Sequence, residues 1–371
     1  MNPELIRIID QIEREKGVKK EVLIEAIETA VASASKKHLD PEDDVIVRLD
    51  RESGEISWLS PKRVVEELAN AQREIGINEA IQIDPNIQIG EILPMPLEAE
   101  EFGRIAAQTA KQIIFQKLRE AERERIYQDF KDREGDMVTG IVQREEKGNV
   151  ILELGITEGL LPRREQGFRE DFRRGDRIKV YILDVRRSSK GQQIVLSRTN
   201  PGLLIKLFEM EIPEIPEGIV EIKGAVREST GRSKIAVVSH QNDVDPVGAC
   251  VGMRGNRVQA IVQELRGEKI DIIRWTEDPV EYVSNALSPA KITRVEVNEK
   301  GKSMIVIVPE DQLPLAIGKK GQNVRLAQKL TRWKIEVYNE SEYQQKISEN
   351  AEKTDLHEGE EPPEVEGFET A

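Results

Sequence analysis

The sequence predicts a multidomain α+β protein. Its parts are an α/β N-terminal head with a long connector helix, a small β-barrel, two tandem copies of one α/β unit and a disordered acidic tail. Three observations predict it. Apolar residues recur at helical spacing through the first third of the chain, interrupted by a hairpin pattern. From Gly135 the rhythm changes to five short strands in about 65 residues, with turn signals between them. After Gly218 a strand, a helix pair split by Gly-x-x-Gly, and a second strand occur twice, the glycine pairs lying 66 residues apart.

In the head, Asn2 is placed as an N-cap and Pro3 at the first helical position. Leu5, Ile8, Ile9 and Ile12 follow at helical spacing, and Gly17 ends the helix. A second helix runs from about Lys20 to Lys37, with Val22, Leu23, Ala26, Ile27 and Ala30 on one face. "DVIVRLD", "RESG" and "EISWLS" read as a hairpin turning at Ser53-Gly54. Residues 98–133 form a long helix striped by Phe102, Ile105, Ala106, Ala110, Ile113, Ile114 and Leu118. Its second half, "REAERERIYQDFKDREG", is charged nearly all round, as a solvated connector would be.

The barrel strands are "DMVTGIVQREE", "NVILELG", "TEGLLPRRE", "DRIKVYILDVRR" and "QIVLSR", with turns at Lys147-Gly148, Gly175-Asp176 and Lys190-Gly191. Pro201, Pro213 and Pro216 mark a linker holding one short helix, "GLLIKLFEME". The resulting segments are a head at 1–134, a barrel at 135–200, a linker at 201–217, repeat units at 218–284 and 285–340, and a tail at 341–371.

Composition narrows the function. The chain has 371 residues, 33% of them charged, and no apolar run approaches the roughly 20 residues of a membrane span. "MNPELIRIIDQIEREKG" lacks the apolar stretch and cleavage site of a signal peptide, so the expected location is the cytoplasm. One cysteine, Cys250, permits no internal disulfide, and His38, His240 and His357 are too scattered for a Cys/His zinc site. No catalytic constellation, metal or cofactor is expected. The net charge of −14 argues at first against a nucleic-acid partner, but its distribution reverses that impression. Residues 1–103 carry 12 basic and 23 acidic residues, and residues 340–371 carry 2 and 11. Residues 104–199 carry 21 and 16, and residues 218–339 carry 19 and 15. An acidic head and tail therefore flank two mildly basic blocks.

With 26 glycines in the chain, about two Gly-x-x-Gly pairs arise by chance, so frequency is uninformative. The flanks carry the signal: Val251 and Ile317 precede the two pairs, and Val258 and Val324 follow their second glycines by three. Glycine permits the sharp turn between two helices, and its lack of a side chain lets a phosphate approach the next helix N-terminus. The candidate RNA-binding residues are Gly252, Met253, Arg254 and Gly255 in the first copy and Gly318, Lys319, Lys320 and Gly321 in the second. Arg257 and Arg325, on the helices that follow, join them, as do Arg163 and Arg164 of the barrel. The competing structural account is a tight helix turn with solvated lysines. Three weaker signals have simpler readings. "GKS" at 301–303 lacks the first glycine of a phosphate loop, Glu296 standing there, and reads as a hairpin turn. Asp245-Pro246 reads as a helix cap rather than half of a metal pair with Asp243, and His240 sits at a strand end without a nucleophile.

The repeated unit resembles the KH domain in its type II arrangement, whose Gly-x-x-Gly loop clamps about four nucleotides of single-stranded nucleic acid. "GDMVTGIVQREEKGNVILELG", "EGLLPRRE", "RRGDRIKVYILDV" and "IVLSR" resemble the S1 domain, an OB-fold RNA-binding barrel. Many such barrels carry a stacking aromatic where Asn149-Val150 follows Gly148 here. The order head, S1, KH, KH is similar to that of the NusA family, and "GLLPRREQ" and "LAIGKKGQNVRLAQKLTRWKIEVY" match its signature stretches. The resemblance implies a head that docks on RNA polymerase and an array that contacts nascent single-stranded RNA. It further implies effects on pausing, termination and antitermination, with other antitermination factors as partners. Nothing such as a heptad seam argues for an oligomer. Two alternatives use the same modules. An RNA-turnover enzyme such as polynucleotide phosphorylase has them in reversed order behind a large catalytic core, and a translation-associated RNA binder would not touch the polymerase.

Overall fold

The computed structural model describes residues 3–36, 44–97, 102–188 and 191–357 and resolves two compact units. Unit 1 comprises Met1–Asp129 with Arg187–Gln192, and unit 2 comprises Phe130–Arg186 with Gln193–Ala371.

In unit 1, α1 (Pro3–Lys16) and α2 (Lys20–Lys36) pack with the first half of α4 (Phe102–Lys131). Ile9, Leu23, Ile27 and Val31 are fully buried, and Ala106, Ala110 and Ile114 supply α4's stripe at i, i+4 and i+8. Asn2 and residues 98–101, part of the expected long helix, lie outside the described residues. The hairpin joins β1 (Ile46–Leu49) to β2 (Ile56–Val65) in antiparallel register, Ile46 opposite Leu59. Its turn is held by Asp50, whose Oδ1 accepts from the Ser53 amide at 2.7 Å and the Ser53 hydroxyl at 2.8 Å. These bonds hold the Asp50 carboxyl below the usual range. The hairpin pattern stops too early, however. β2 continues through Pro61 to pair with β4 (Ile92–Pro96) and β3 (Glu74–Gly76), and α3 (Ile77–Ile83) caps a second small core of Val64, Ile75, Ala80 and Leu93. Pro94 and Pro96 mask β4, which pairs with β2 alone and so tolerates prolines.

Unit 2 begins with a closed barrel, order β5-β6-β7-β9-β8, formed by β5 (Met137–Glu146), β6 (Asn149–Glu153), β7 (Glu158–Leu161), β8 (Arg177–Ser188) and β9 (Gly191–Ser197). Alternate residues point inward: Ile178, Val180 and Ile182 on β8, and Val150 and Leu152 on β6. The five expected strands are all present.

Two repeats follow. The first is α5 (Pro201–Glu211), β10 (Val220–Glu228), β11 (Arg232–Ser239), α6 (Pro246–Val251), α7 (Asn256–Glu264) and β12 (Lys269–Arg274). The second is α8 (Pro279–Ala286), β13 (Arg294–Asn298), β14 (Ser303–Val308), α9 (Leu313–Ile317), α10 (Gln322–Thr331) and β15 (Lys334–Asn339). Each sheet pairs its first two strands antiparallel and its last two parallel, Ala236 opposite Ile273 and Val306 opposite Val337. The turn of "GKS" joins β13 to β14, and Asp245 caps α6 by accepting from the Gly248 amide at 2.9 Å, both as expected.

Two expectations are corrected. The stretch read as a linker, 201–217, is not loose. Leu203, Leu204, Leu207, Phe208 and Ile212 are fully buried against β10, β11 and α7, so the helix belongs to the first repeat's core. Pro201 is there because it opens α5 at its first turn, with the Asn200 side chain accepting from Gly202 as the cap.

The tail, expected to be disordered from 341, instead continues as α11 (Glu340–His357), and residues 358–371 lie outside the described residues. The helix starts because Asn339 accepts from the Glu342 amide at 2.8 Å, and it docks because Tyr343 is 7% exposed and hydrogen-bonds Glu296 on β13. Lys346 bonds both Glu336 and the Tyr338 hydroxyl. That lysine, with Lys334 and Tyr338, draws the Glu336 carboxyl down to about 2. A carboxyl whose folded pKa is depressed contributes stability above its unfolded value near 4.3, and loses it as pH falls through the folded one. Protection factors of the amides in 340–348, taken relative to intrinsic exchange at each pH, should therefore stay high above about pH 5 and fall as pH drops toward 2. In Lys346→Met the same amides should be faster at neutral pH and show a weaker acid transition.

Candidate nucleic-acid interface

The two Gly-x-x-Gly turns have nearly one backbone. Gly252 lies at φ 74°, ψ 176°, and Gly318 at φ 75°, ψ 171°. Arg254 and Lys320 both enter the left-handed region, at φ 55° and 54°, and Gly255 and Gly321 follow at φ 78° and 73°. The four glycines do two jobs. A Cβ on Gly318 would stand 2.8 Å from Asn323 Cβ and 2.9 Å from its amide nitrogen, and one on Gly252 would stand 2.5 Å from Asn256 Oδ1. These first glycines let the second helix close against the turn. A Cβ on Gly255 or Gly321 would meet nothing within 4 Å. These second glycines face open space, and each is the N-cap of α7 or α10 with no side chain capping the helix. An anion can therefore reach uncapped amides at the positive end of the helix.

Around that opening Met253 is 87% exposed and Arg254, Lys319 and Lys320 are exposed, with no ion pair holding the three cations among the described residues. The other two candidates are engaged within the protein. Arg257 Nη1 donates to the Ala249 carbonyl at 2.7 Å and pairs with Glu214 at 2.9 Å. Burial works against the charge on Glu214, but its own amide and Arg257 hold its carboxyl below the ordinary range. Arg325 Nε pairs with Glu228 of β10 at 2.6 Å, and its Nη2 donates to the Lys320 carbonyl at 3.3 Å.

Sequence reasoning missed the residue that latches the second loop. Asn323, 1% exposed, stands 66 positions after Arg257 and does a similar job. Its Nδ2 lies 3.1 Å from the carbonyl of Leu315, the counterpart of Ala249, and 3.0 Å from that of Leu287 after α8. Its Oδ1 is buried without a partner. The 66-residue register that paired the glycines would also have paired Asn323 with Arg257, had it been carried two positions further.

The barrel presents Arg163 and Arg164 on one turn after β7. Arg164 is 78% exposed on its side chain, its nearest carboxylate, Glu165, lying 3.8 Å away. Arg163 folds over the β5–β6 turn, where a Cβ on Gly148 would meet its Cδ at 3.3 Å. Asn149, at the aromatic's usual place, spends its side chain on the Arg163 amide at 3.2 Å. Two of the barrel's aromatics are also committed. Tyr181 packs against Gly202 of α5, and the Phe168 ring lies against Gly231 in the β10–β11 turn.

Catalytic alternatives find little material. Among the described residues no group of three or more His, Cys, Asp or Glu could hold a metal, and no helix is long and apolar enough to cross a membrane. Cys250 is fully buried, and burial pushes its thiol up to about 12. His240 is exposed beside Glu221. In unit 1, Leu5, Ile8, Ile12, Ile114 and Phe115 line an apolar groove of about 630 Å³ between α1 and α4, with Ile8 46% and Phe115 49% exposed.

The two roles of the glycines separate energetically. Gly321→Ala should cost about 1–2 kcal/mol, the strain of a left-handed side chain alone. Gly318→Ala should cost more, because its Cβ also meets backbone that cannot move away. Urea unfolding of the two variants checks the order.

Comparison with known proteins agrees with this geometry. Four family models match in sequence: NusA N-terminal domain over residues 4–124, S1 RNA binding domain over 131–198, NusA-like first KH domain over 198–275 and NusA-like second KH domain over 279–345. The first KH match includes α5, as the buried leucines require. The transcription termination/antitermination protein NusA of Halalkalibacterium halodurans is 53% identical over 93% of this chain and 90% of its own length. Those of Bacillus subtilis and Thermus thermophilus are 52% and 44% identical over 92% and 90% of this chain. They cover 92% and 89% of their own lengths. With all four domains matched in order and relatives this similar along nearly their whole length, the chain belongs to the NusA family of transcription termination/antitermination proteins.

Proposed function

We propose that the chain is a non-catalytic cytoplasmic factor that docks on RNA polymerase through residues 1–134 and holds nascent single-stranded RNA on its S1–KH–KH array. Pausing, termination and antitermination are modulated from that position. The observation that carries the RNA half is the pair of loops with one backbone geometry, open second glycines and uncapped helices behind them. Gly252, Met253, Arg254 and Gly255 form the first contact and Gly318, Lys319, Lys320 and Gly321 the second, with Arg163 and Arg164 as an outlying phosphate contact on the barrel. The second loop is the stronger of the two because two lysines stand where the first has Met253 and Arg254. Arg257 is a latch rather than an RNA ligand, since Glu214 and the Ala249 carbonyl occupy it.

The polymerase half is supported by the match to the family's N-terminal domain and by the 23 acidic residues against 12 basic in residues 1–103, which repel RNA and leave a protein partner. The α1–α4 groove offers that partner an apolar seat.

Immobilised residues 1–134 should retain bacterial RNA polymerase core enzyme, and Ile8→Glu with Phe115→Glu should release it; failure of the parent segment to retain the enzyme would sink this half and favour a translation-associated binder. In the full chain, Gly321→Asp places a carboxylate in the phosphate's path without a steric clash, and should weaken binding of single-stranded RNA roughly tenfold or more. Unchanged affinity in the folded variant would show that the second loop is no clamp.

A further inference from the structure

The second clamp is not self-sufficient. Lys320 occupies the left-handed region at φ 54°, a conformation that a side-chain-bearing residue keeps only when its surroundings hold it. Besides the Asn323 latch, one hold on it reaches across from the other KH domain. Glu228, the last residue of β10, has a side chain only 7% exposed. Its Oε1 accepts from Arg325 Nε at 2.6 Å, and Thr230 lies 3.4 Å from its other oxygen. Arg325, on the exposed side of α10, passes the connection on by donating from Nη2 to the Lys320 carbonyl at 3.3 Å. Lys329, one turn further along α10, stands 3.8 Å from the same carboxylate.

The first clamp has no such connection. Its strained residue is Arg254, and the position matching Arg325 is Gln259, whose side chain makes no hydrogen bond among the described residues. Its loop is tied by Arg257 to Ala249 and Glu214 within its own domain.

We propose that Glu228 and Arg325 are positioning residues that brace the second Gly-x-x-Gly loop against the first KH domain, Arg325 serving the RNA site without touching RNA. A carboxylate buried beside a phosphate-binding loop would otherwise only repel the ligand. With Arg325 between them its charge is cancelled, and the guanidinium's fixed fork converts one side of the pair into a hold on the loop's backbone. The second clamp is thus set by the first domain. The proposal rests on the loop being an RNA contact, and the test separates the two claims.

The full-length protein is titrated with a fluorescein-labelled single-stranded RNA of about 12 nucleotides across a range of salt concentrations. Each phosphate contact on a single strand contributes about 0.7 to the slope of log K against log salt. Lys320→Ala, which removes a phosphate contact, should flatten the slope by about that amount. Arg325→Ala and Glu228→Gln should each weaken binding roughly five- to tenfold and leave the slope unchanged, as loss of a charge-assisted brace does. The double variant should be no weaker than the worse single. The opposite pattern overturns the brace: Arg325→Ala flattening the slope while Glu228→Gln tightens binding makes Arg325 an ordinary phosphate contact with Glu228 as its competitor. No effect from either variant overturns it as well. If Lys319→Ala and Lys320→Ala also change nothing, the loop itself is not an RNA contact and the proposal falls with it. Should Glu228→Gln not fold, Arg325→Ala, whose side chain is half exposed, decides the matter by its slope alone.

Discussion

A buried cation, Arg198, ties the barrel of unit 2 to its first KH domain. Arg198, at the end of the barrel's last strand, is 1% exposed, and so is the Glu170 carboxylate it faces, at 2%. A guanidinium brought this far from water is tolerated only if its donors are all satisfied. Here Nε lies 2.8 Å from both Glu170 oxygens, Nη1 reaches Glu264 at 3.1 Å, and Nη2 reaches the Glu264 carbonyl at 2.8 Å. Burial opposes the charge, yet Glu170 and Glu264 together hold Arg198 above its ordinary range. Glu170 belongs to the barrel and Glu264 ends α7 of the first KH domain, so the arginine's demand for partners fixes one domain on the other. A second buried pair completes the lock. Arg227 and Glu268, both 5% exposed, meet at 2.7 Å, and Arg227 also donates to the Arg198 carbonyl at 2.7 Å. The barrel's aromatics meet the same junction: Tyr181 packs against Gly202 of α5, and Phe168, 41% exposed, sets its ring against Gly231.

What the sequence made legible depended on whether the signal was local. The barrel strands alternate within themselves, the N-cap Asp245 sits beside the proline it precedes, and the glycine loops carry matched flanks, so each could be read from a few neighbouring residues. The misreadings arose where a residue's meaning depends on a distant partner. Three prolines made 201–217 read as a linker, because nothing nearby shows that Leu203, Leu204 and Leu207 meet β10 and β11. The acidic composition of the tail hid α11, whose docking rests on Tyr343 finding Glu296 47 positions earlier. For Arg257 and Arg325, read as RNA ligands by charge and proximity, the carboxylates they pair with, Glu214 and Glu228, lie 43 and 97 positions away, beyond any local pattern.

The two clamps therefore share a backbone and differ in how it is secured. The first is fastened by an ion pair inside its own domain, the second by an uncharged amide, Asn323, at the same register position, with the Glu228–Arg325 pair as a further brace from the first KH domain. An amide in a buried place holds its partners independently of salt, whereas Arg257 and Glu214, each about a quarter exposed on their side chains, are subject to screening. The physical character of the two loops is set beneath them as much as on them.

The buried arginine has a last consequence, for the kind of measurement the array makes on its ligand. Two contacts joined by a flexible tether accept any separation that the tether can span, and their joint affinity varies gradually with ligand length. Contacts carried on one locked body have a fixed separation, so their joint affinity is available only to a strand long enough, and unpaired enough, to reach both. Base pairing that withdraws a few nucleotides from either end costs such a body an entire contact at once. Under the function proposed above, Arg198 and Arg227 would hold the barrel's contact and the first loop at one spacing, so that the unpaired length of a strand would be read as a threshold.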